Sequence, residues 1–273
     1  MVWFTDRHFF LLAVCIYGLS AVYSVFLWRK GFREDDRVNY WLLAGAFLFH
    51  TVALFKRGFS LQACPVNNLY EATTFLLWAL ALAYLAVGLL PRLKFLGTLV
   101  APVLFSGGVF ALMPALDAPH GPQPEFSGAL RSLHAATILL AYGGFGLGAV
   151  AAGMLLTQRH DLKMHKIRAV LSLLPSMQRL ESVTTTLVLS GFILFTIGLV
   201  AGRDLPRPPG LDYFSDPKVV WSVLLWLAYL EIQVAHRFFG RSTRNFAVAV
   251  IVCFVFLMLT FSITNHYSSL HHL

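Results

Sequence analysis

The chain has 273 residues, of which 58% are hydrophobic and only 12% are charged, with a formal net charge of +8. A soluble domain carries about twice that share of charged residues, so a water-soluble globule, a disordered chain and a coiled coil are all excluded. An integral membrane protein remains, and its positive charge is expected to anchor it at the membrane surface rather than to bind nucleic acid. Cys15, Cys64 and Cys253 are scattered, and no CxxC motif offers a dithiol redox pair.

Long apolar runs predict the membrane-spanning elements, because a bilayer core about 30 Å thick needs about 20 apolar residues per helix. Lipid offers no partners to backbone polar groups, so each run must close its own hydrogen bonds as an α-helix. We therefore predict an all-α, polytopic integral membrane protein with one domain over residues 1–273. The eight predicted spans are Phe9–Trp28, Val38–Phe55, Leu69–Leu90, Phe95–Leu116, Leu130–Thr157, Ser182–Ala201, Lys218–His236 and Phe246–His266.

The distribution of lysine and arginine indicates how these spans are oriented. If the N-terminus lies outside, the inner loops hold 14 of the 21 lysines and arginines and the outer segments hold the other 7. Cytoplasmic segments next to spans are enriched in these residues, so both termini are predicted to lie outside. The longest inner loop, Gln158–Glu181, is basic and is a candidate for an interfacial helix.

Histidines near the span ends carry the clearest chemical signal. His134 and His266 stand at the predicted outer ends of the fifth and eighth spans, whereas His50 lies inside the second span and His236 at the inner end of the seventh. Two neutral imidazoles from different helices at one depth can ligate a haem iron from both sides. His50 and His236 form a second pair only if the fold bridges their difference in depth. The alternative for each histidine is an interfacial residue that binds water or lipid head groups.

Other polar and small residues inside the spans have local interpretations. Asn68 and Glu71 are spaced as an N-cap and its capping-box partner at the start of the third span. Gly144 and Gly148 form a GxxxG motif, which is typical of close helix packing. Glu231 lies within the seventh span, where a carboxyl group must be protonated or paired. It is the one residue that motivates a third reading, a transporter.

Four motifs, in order, resemble the CcsA/HemX-type cytochrome c assembly proteins over roughly residues 40–268. They are a P-x-x-N-L-Y-E string, a histidine helix of the form H-x(7)-Y-[AG], a G-F-x-x-x-T-I-G segment and a D-P-K tripeptide followed by two tryptophans. The matching residues are Pro65, Asn68, Leu69, Tyr70, Glu71, His134, Tyr142, Gly143, Gly191, Phe192, Thr196, Ile197, Gly198, Asp216, Pro217, Lys218, Trp221 and Trp226.

This resemblance implies a haem-handling protein of a bacterial inner (cytoplasmic) membrane. His134 and His266 become the axial pair of a bis-histidine haem b on the outer face, where the family serves apocytochrome c. His236 becomes one ligand of a deeper haem, and His50 is a candidate for the other. Because this chain has no large outer domain of its own, a second membrane subunit that carries one is the expected partner.

The outer loop before the seventh span departs from the tryptophan-rich haem loop of the synthase members, which reads W-G-x-x-W-x-W-D-P-K-E. Asp216 and Trp221 match the family, but the tryptophans upstream of Asp216 are missing, Tyr213 and Phe214 offer the only aromatic surface there, and Val219 replaces the glutamate. We assign Tyr213, Asp216 and Trp221 to the haem-binding set and name no catalytic residue.

These departures are typical of the HemX/YpjD-like branch and favour a haem-handling assembly factor over a complete cytochrome c synthase. The alternative is a HemX-like regulatory or scaffold protein of haem biosynthesis. In that reading the basic inner loop Gln158–Glu181 would be the docking surface.

Overall fold

The computed structural model describes residues 4–29, 37–61, 65, 68–117, 129–163, 176–205, 215–240 and 242–268. This part of the chain is entirely helical, and eight helices are long and apolar enough to cross a membrane, so the predicted all-α membrane fold is confirmed. The helices are α1 (Asp6–Arg29), α2 (Arg37–Leu61), α3 (Leu69–Gly88), α4 (Gly97–Ala111), α5 (Ala129–Lys163), α6 (Met177–Arg203), α7 (Pro217–Phe238) and α8 (Thr243–Tyr267).

Side-chain caps set several helix starts. The Asn68 side chain accepts the Glu71 backbone N–H at 2.9 Å and begins α3, as predicted. Ser176 caps α6, which therefore starts five residues before the predicted Ser182. The fourth span is shorter than predicted, since α4 ends at Ala111 and a separate 3-10 turn occupies Pro114–Leu116. Proline at the start of that turn has no N–H to continue the helical bonding pattern.

The eight helices pack as two halves. In the N-terminal half (α1–α4), α1 packs on α2 and α4, and α3 packs on the same two helices. In the C-terminal half (α5–α8), α5 packs on α6 and α8, and α7 packs on the same two. Contact between α3 and α5 joins the halves.

Glycines of α5 allow its close approach to two neighbours. A Cβ atom added to Gly143 would lie 2.7 Å from the carbonyl carbon of Ala79 in α3. A Cβ atom on Gly144 would lie 3.3 Å from the Cα atom of Gly191 in α6. The GxxxG motif thus serves helix packing, as predicted, because small residues let backbones meet.

Both ends of the described chain lie on one face of the bundle. Asp6 at the start of α1 pairs with Arg57 near the end of α2 at 3.4 Å, and Ser268 after α8 donates to Asp216 before α7 at 2.9 Å. Residues near the start of α3 and the end of α8 line one crevice. We call this the terminal face. Its placement outside the membrane stays a prediction from the charge distribution.

Candidate functional site

His134 lies in the second turn of α5, at the terminal face. Its Nδ1 atom is 2.7 Å from the backbone carbonyl oxygen of Gly198 in α6. A carbonyl oxygen only accepts, so Nδ1 carries the proton and the lone pair of the neutral ring is on Nε2. Histidines that ligate metals are commonly oriented in this way, with one ring nitrogen donating to a carbonyl or carboxylate.

The sequence of α6 makes room for this imidazole. A Cβ atom on Gly202 would lie 2.7 Å from Cε1 of His134, and one on Gly198 would lie 3.1 Å from the Thr137 hydroxyl. Glycine at position 202 therefore forms a flat floor beneath the ring, and glycine at position 198, one helical turn earlier, leaves room for Ile138 and Thr137. The imidazole is half-buried there, and a larger residue at position 202 would push it away from the Gly198 carbonyl.

The backbone brings the end of α8, which carries His266, to the same face as His134. The rings of Tyr142 in α5 and Phe261 in α8 meet edge to face, with centroids 6.0 Å apart. His134 lies eight residues before Tyr142 and His266 five residues after Phe261, which at 1.5 Å per residue is about 12 Å and about 7.5 Å towards the terminal face. The two histidine positions thus lie at depths about 5 Å apart.

Asp216 ties the start of α7 to the end of α8. Its buried carboxylate accepts the backbone N–H groups of Lys218 at 2.9 Å and Val219 at 3.3 Å, and the Ser268 hydroxyl at 2.9 and 3.0 Å. Trp221, one turn further, packs on Phe256 of α8 with ring centroids 4.6 Å apart. Both side chains therefore fix α7 against α8 beside the site.

Tyr213, the aromatic residue that we assigned to the haem-binding set, lies outside the described residues. So does the middle of the basic inner loop that the regulatory alternative invokes.

An apolar crevice lies between the two halves, in the part of the bundle next to the terminal face. Its volume is about 390 Å³, and its wall comes from α3, α4, α5 and α8. Small-molecule sites are typically apolar clefts of about 300–1,000 Å³. Aromatic side chains that bound it are Phe110, Tyr142, Phe254 and Phe261.

His50 is fully buried in the N-terminal half, away from His236. Its Nδ1 lies 3.2 Å from the Tyr17 hydroxyl, and its ring packs on Phe10 with centroids 4.9 Å apart. Nε2 makes no hydrogen bond within the part of the chain that the structure describes. The ring is therefore enclosed by its own half of the bundle.

His236 lies near the opposite face, at the end of α7. Its Nε2 is 3.3 Å from a carboxylate oxygen of Glu181, and its ring stacks on Phe246 with centroids 3.9 Å apart. These contacts join the ends of α6, α7 and α8. The structure does not bring His236 and His50 together, since α7 packs on α6 and α8 whereas α2 packs within the other half.

Glu231 lies on an exposed side of α7 rather than in the core of the bundle. A carboxyl group in that position does not line the crevice described above. The transporter reading, which Glu231 motivated, gains no support from this placement.

A charged cluster on the terminal face was not anticipated from the sequence. Arg57 contacts Glu71 at 2.7 Å, Asp117 at 2.6 Å and Asp6 at 3.4 Å, and Arg7 pairs with Asp117 at 3.2 Å. We call these five residues the arginine cluster. The predicted second span ends at Phe55, two residues before Arg57, and nothing in the sequence pairs Arg57 with Glu71 of the third span.

Comparison with known proteins identifies relatives that match most of the chain. A model of the family described as Cytochrome C assembly protein matches residues 66–272. The chain is 25% identical over 280 aligned positions to the cytochrome c biogenesis protein CcsA of Prochlorococcus marinus (strain NATL1A), covering 89% of each chain. It is 24% identical to CcsA of Trieres chinensis, over 85% of this chain and 84% of that one. It is 26% identical to the protein HemX of Bacillus subtilis (strain 168), covering 94% of each.

Proposed function

Because this chain belongs to the family of cytochrome C assembly proteins, we propose that it holds haem b between His134 and His266 at the terminal face. Its role in cytochrome c biogenesis follows from the family, and its multi-pass membrane location from the eight apolar helices. We propose further that the membrane is a bacterial cytoplasmic membrane, that the terminal face lies outside it, and that haem is offered there to apocytochrome c.

The hydrogen bond from His134 Nδ1 to the Gly198 carbonyl is the single observation that carries this proposal. It favours the tautomer in which Nε2 would be the ligand atom, and it holds the ring on the glycine floor at Gly202. A histidine that served only as an interfacial residue would not need a ring orientation set by a neighbouring helix.

The residues present fit a haem in three respects. Two imidazole-bearing residues lie at similar depths, since His134 is in the second turn of α5 and His266 is near the end of α8. An apolar crevice of about 390 Å³ bounded by aromatic side chains lies on the inner side of these positions. The cap at Asp216 holds α7 and α8 together, so the end of α8 keeps its position relative to α5. Bound haem would supply the iron centre and the vinyl groups that maturation uses.

Under this proposal the chain itself binds the haem, orients it and shields it from water. His134 and His266 hold the iron, and the ends of α5 and α8 set the spacing between them. The aromatic wall of the crevice excludes water from the ring edge. A second membrane subunit with a large outer domain is the proposed partner for delivery to apocytochrome c. His50 and His236 stay weaker candidates, as ligands of separate sites.

The similarity to HemX along 94% of both chains supports a second candidate, a regulatory or scaffold role in haem biosynthesis. In that case the function would depend on the inner loop and not on the terminal-face histidines. Replacing residues 164–175 by a neutral linker should then abolish the cellular effect, whereas the double variant His134→Ala/His266→Ala should retain it.

The direct test is a haem spectrum of the detergent-purified protein after haem supply. We expect the wild type to show a Soret band that the double variant His134→Ala/His266→Ala loses almost completely. His8→Ala is the matched control, because His8 is an exposed histidine on the same face whose described side-chain contacts are with its chain neighbours Phe4 and Thr5. Equal Soret absorbance in the wild type and the double variant, or no band in either, would refute the ligand assignment.

A further inference from the structure

Lys218 places a positive charge at the edge of the candidate site. It is the second residue of α7, and its side chain is half-buried. Its ammonium nitrogen lies 5.4 Å from the centre of the Phe261 ring in α8. A cation over an aromatic face is attracted to it, but that contact leaves the donor capacity of the ammonium group largely unused.

The nearest carboxylate in the sequence, that of Asp216, is engaged elsewhere. It accepts two backbone N–H groups and the Ser268 hydroxyl. Among the residues that the structure describes, no carboxylate oxygen lies within 4.0 Å of this ammonium group. A half-buried cation with so little direct compensation is a binding position for an anion.

Two contacts locate this cation relative to the haem site. Phe261, beneath the ammonium, is part of the wall of the apolar crevice. Asp216, two residues before Lys218, binds the Ser268 hydroxyl just after α8 at 2.9 Å. The ammonium thus lies beside the wall of the crevice, near the end of α8.

We propose that Lys218 binds a carboxylate of the haem, a propionate, and thereby orients the ring between α5 and α8. This assignment rests on the function proposed above. It adds the residue that would fix the position of the carboxylate-bearing edge of the haem. The chemistry matches because haem combines an apolar ring, which suits the crevice, with two carboxylates at one edge. A lipid phosphate or fatty acid offers the same anionic chemistry, so the test must separate these sources.

The test compares haem with its dimethyl ester, in which both carboxylates are neutral, in Soret titrations of detergent-purified protein. For the wild type we expect haem to bind about tenfold or more tightly than the ester, the effect of one charge-assisted contact. For Lys218→Gln we expect haem affinity to fall to the level of the ester, with ester affinity unchanged. Lys218→Arg keeps the charge and should retain most of the preference.

Lys56→Gln is the matched control. Lys56 also lies over an aromatic ring on the terminal face, 5.5 Å from the centre of Phe9, but in the other half of the protein. It should keep the wild-type preference. If Lys218→Gln binds haem and still prefers it over the ester as the wild type does, the Lys218 assignment is wrong while the haem site stands. If the wild type binds neither compound, the haem site itself is wrong and this assignment fails with it.

Discussion

Two cations on the terminal face, one in each half of the protein, have opposite surroundings. In the N-terminal half, Arg57 meets three carboxylates, from Asp6, Glu71 and Asp117, all within 3.4 Å. In the C-terminal half, Lys218 meets an aromatic ring and lies within salt-bridge distance of no described carboxylate. Arg57 is thus neutralised within the chain, whereas we propose that Lys218 is left for a ligand.

This difference distinguishes a family motif that stabilises the fold from the motifs that we propose to bind haem. Asn68 and Glu71 belong to the P-x-x-N-L-Y-E string, yet Asn68 caps α3 and Glu71 anchors Arg57. Both side chains are used in holding helices together. His134 and Lys218, by contrast, present donor or ligand atoms beside a crevice. We infer that the first motif stabilises the bundle, and that the later motifs carry binding.

Removal of Arg57 should have the largest effect on stability. The Glu71 side chain is fully buried and that of Arg57 is 17% exposed, so Arg57→Met removes the ion-pair contact of a buried carboxylate. Breaking a buried ion pair costs up to about 3–5 kcal/mol, and the other contacts of Glu71 reduce this loss. We expect a marked fall in the melting temperature of the purified protein, and partial recovery in the double variant Arg57→Met/Glu71→Gln.

The same variant tests the division of roles. The fraction of Arg57→Met that remains folded should bind haem with wild-type affinity, whereas Lys218→Gln should lose affinity and melt close to the wild type. The comparison between the halves would break down if Arg57→Met weakened haem binding as much as Lys218→Gln does.

A smaller loss of stability is expected where the two halves touch. Gly143→Ala would place a methyl group 2.7 Å from the Ala79 carbonyl carbon, so α3 and α5 would have to separate. Overpacking of this kind costs about 1–3 kcal/mol. Gly153→Ala, on the same helix with no atom within 4 Å of the new Cβ, is the control and should be neutral or stabilising by less than about 1 kcal/mol. Equal melting temperatures for the two variants would show that the halves do not depend on this close approach.

Much of the fold could be predicted from the sequence because lipid imposes simple rules. Span length, apolar composition and the need to satisfy backbone hydrogen bonds were enough for all eight helices. The cap at Asn68 and the glycine packing of α5 were also predictable, because both depend on residues close together in the chain or on one helix face.

The partners of the polar side chains were harder to predict from the sequence. The bond from His134 to the Gly198 carbonyl joins residues 64 positions apart, and nothing in either local sequence specifies it. Likewise, Arg57 reads as a loop residue until the fold places three carboxylates around it. His236 illustrates the opposite case, since its position suggested a ligand while its contacts with Glu181 and Phe246 give it a packing role as well. Long-range pairing of polar groups is set by helix rotation, which periodicity alone does not fix.

The mildest variant probes the orientation of His134 rather than its presence. Gly202→Ala would place a methyl group 2.7 Å from Cε1 of the imidazole, so the ring must tilt away and its bond to the Gly198 carbonyl must lengthen. Because a ligating nitrogen depends on that second contact, we expect haem affinity to fall about threefold to tenfold, that is by about 1 kcal/mol, with the Soret band retained. The loss should apply equally to haem and its dimethyl ester, unlike that of Lys218→Gln, since the ligand and not the carboxylate contact is disturbed. Unchanged affinity in Gly202→Ala, with Gly153→Ala as the control, would show that the glycine floor does not position the ring.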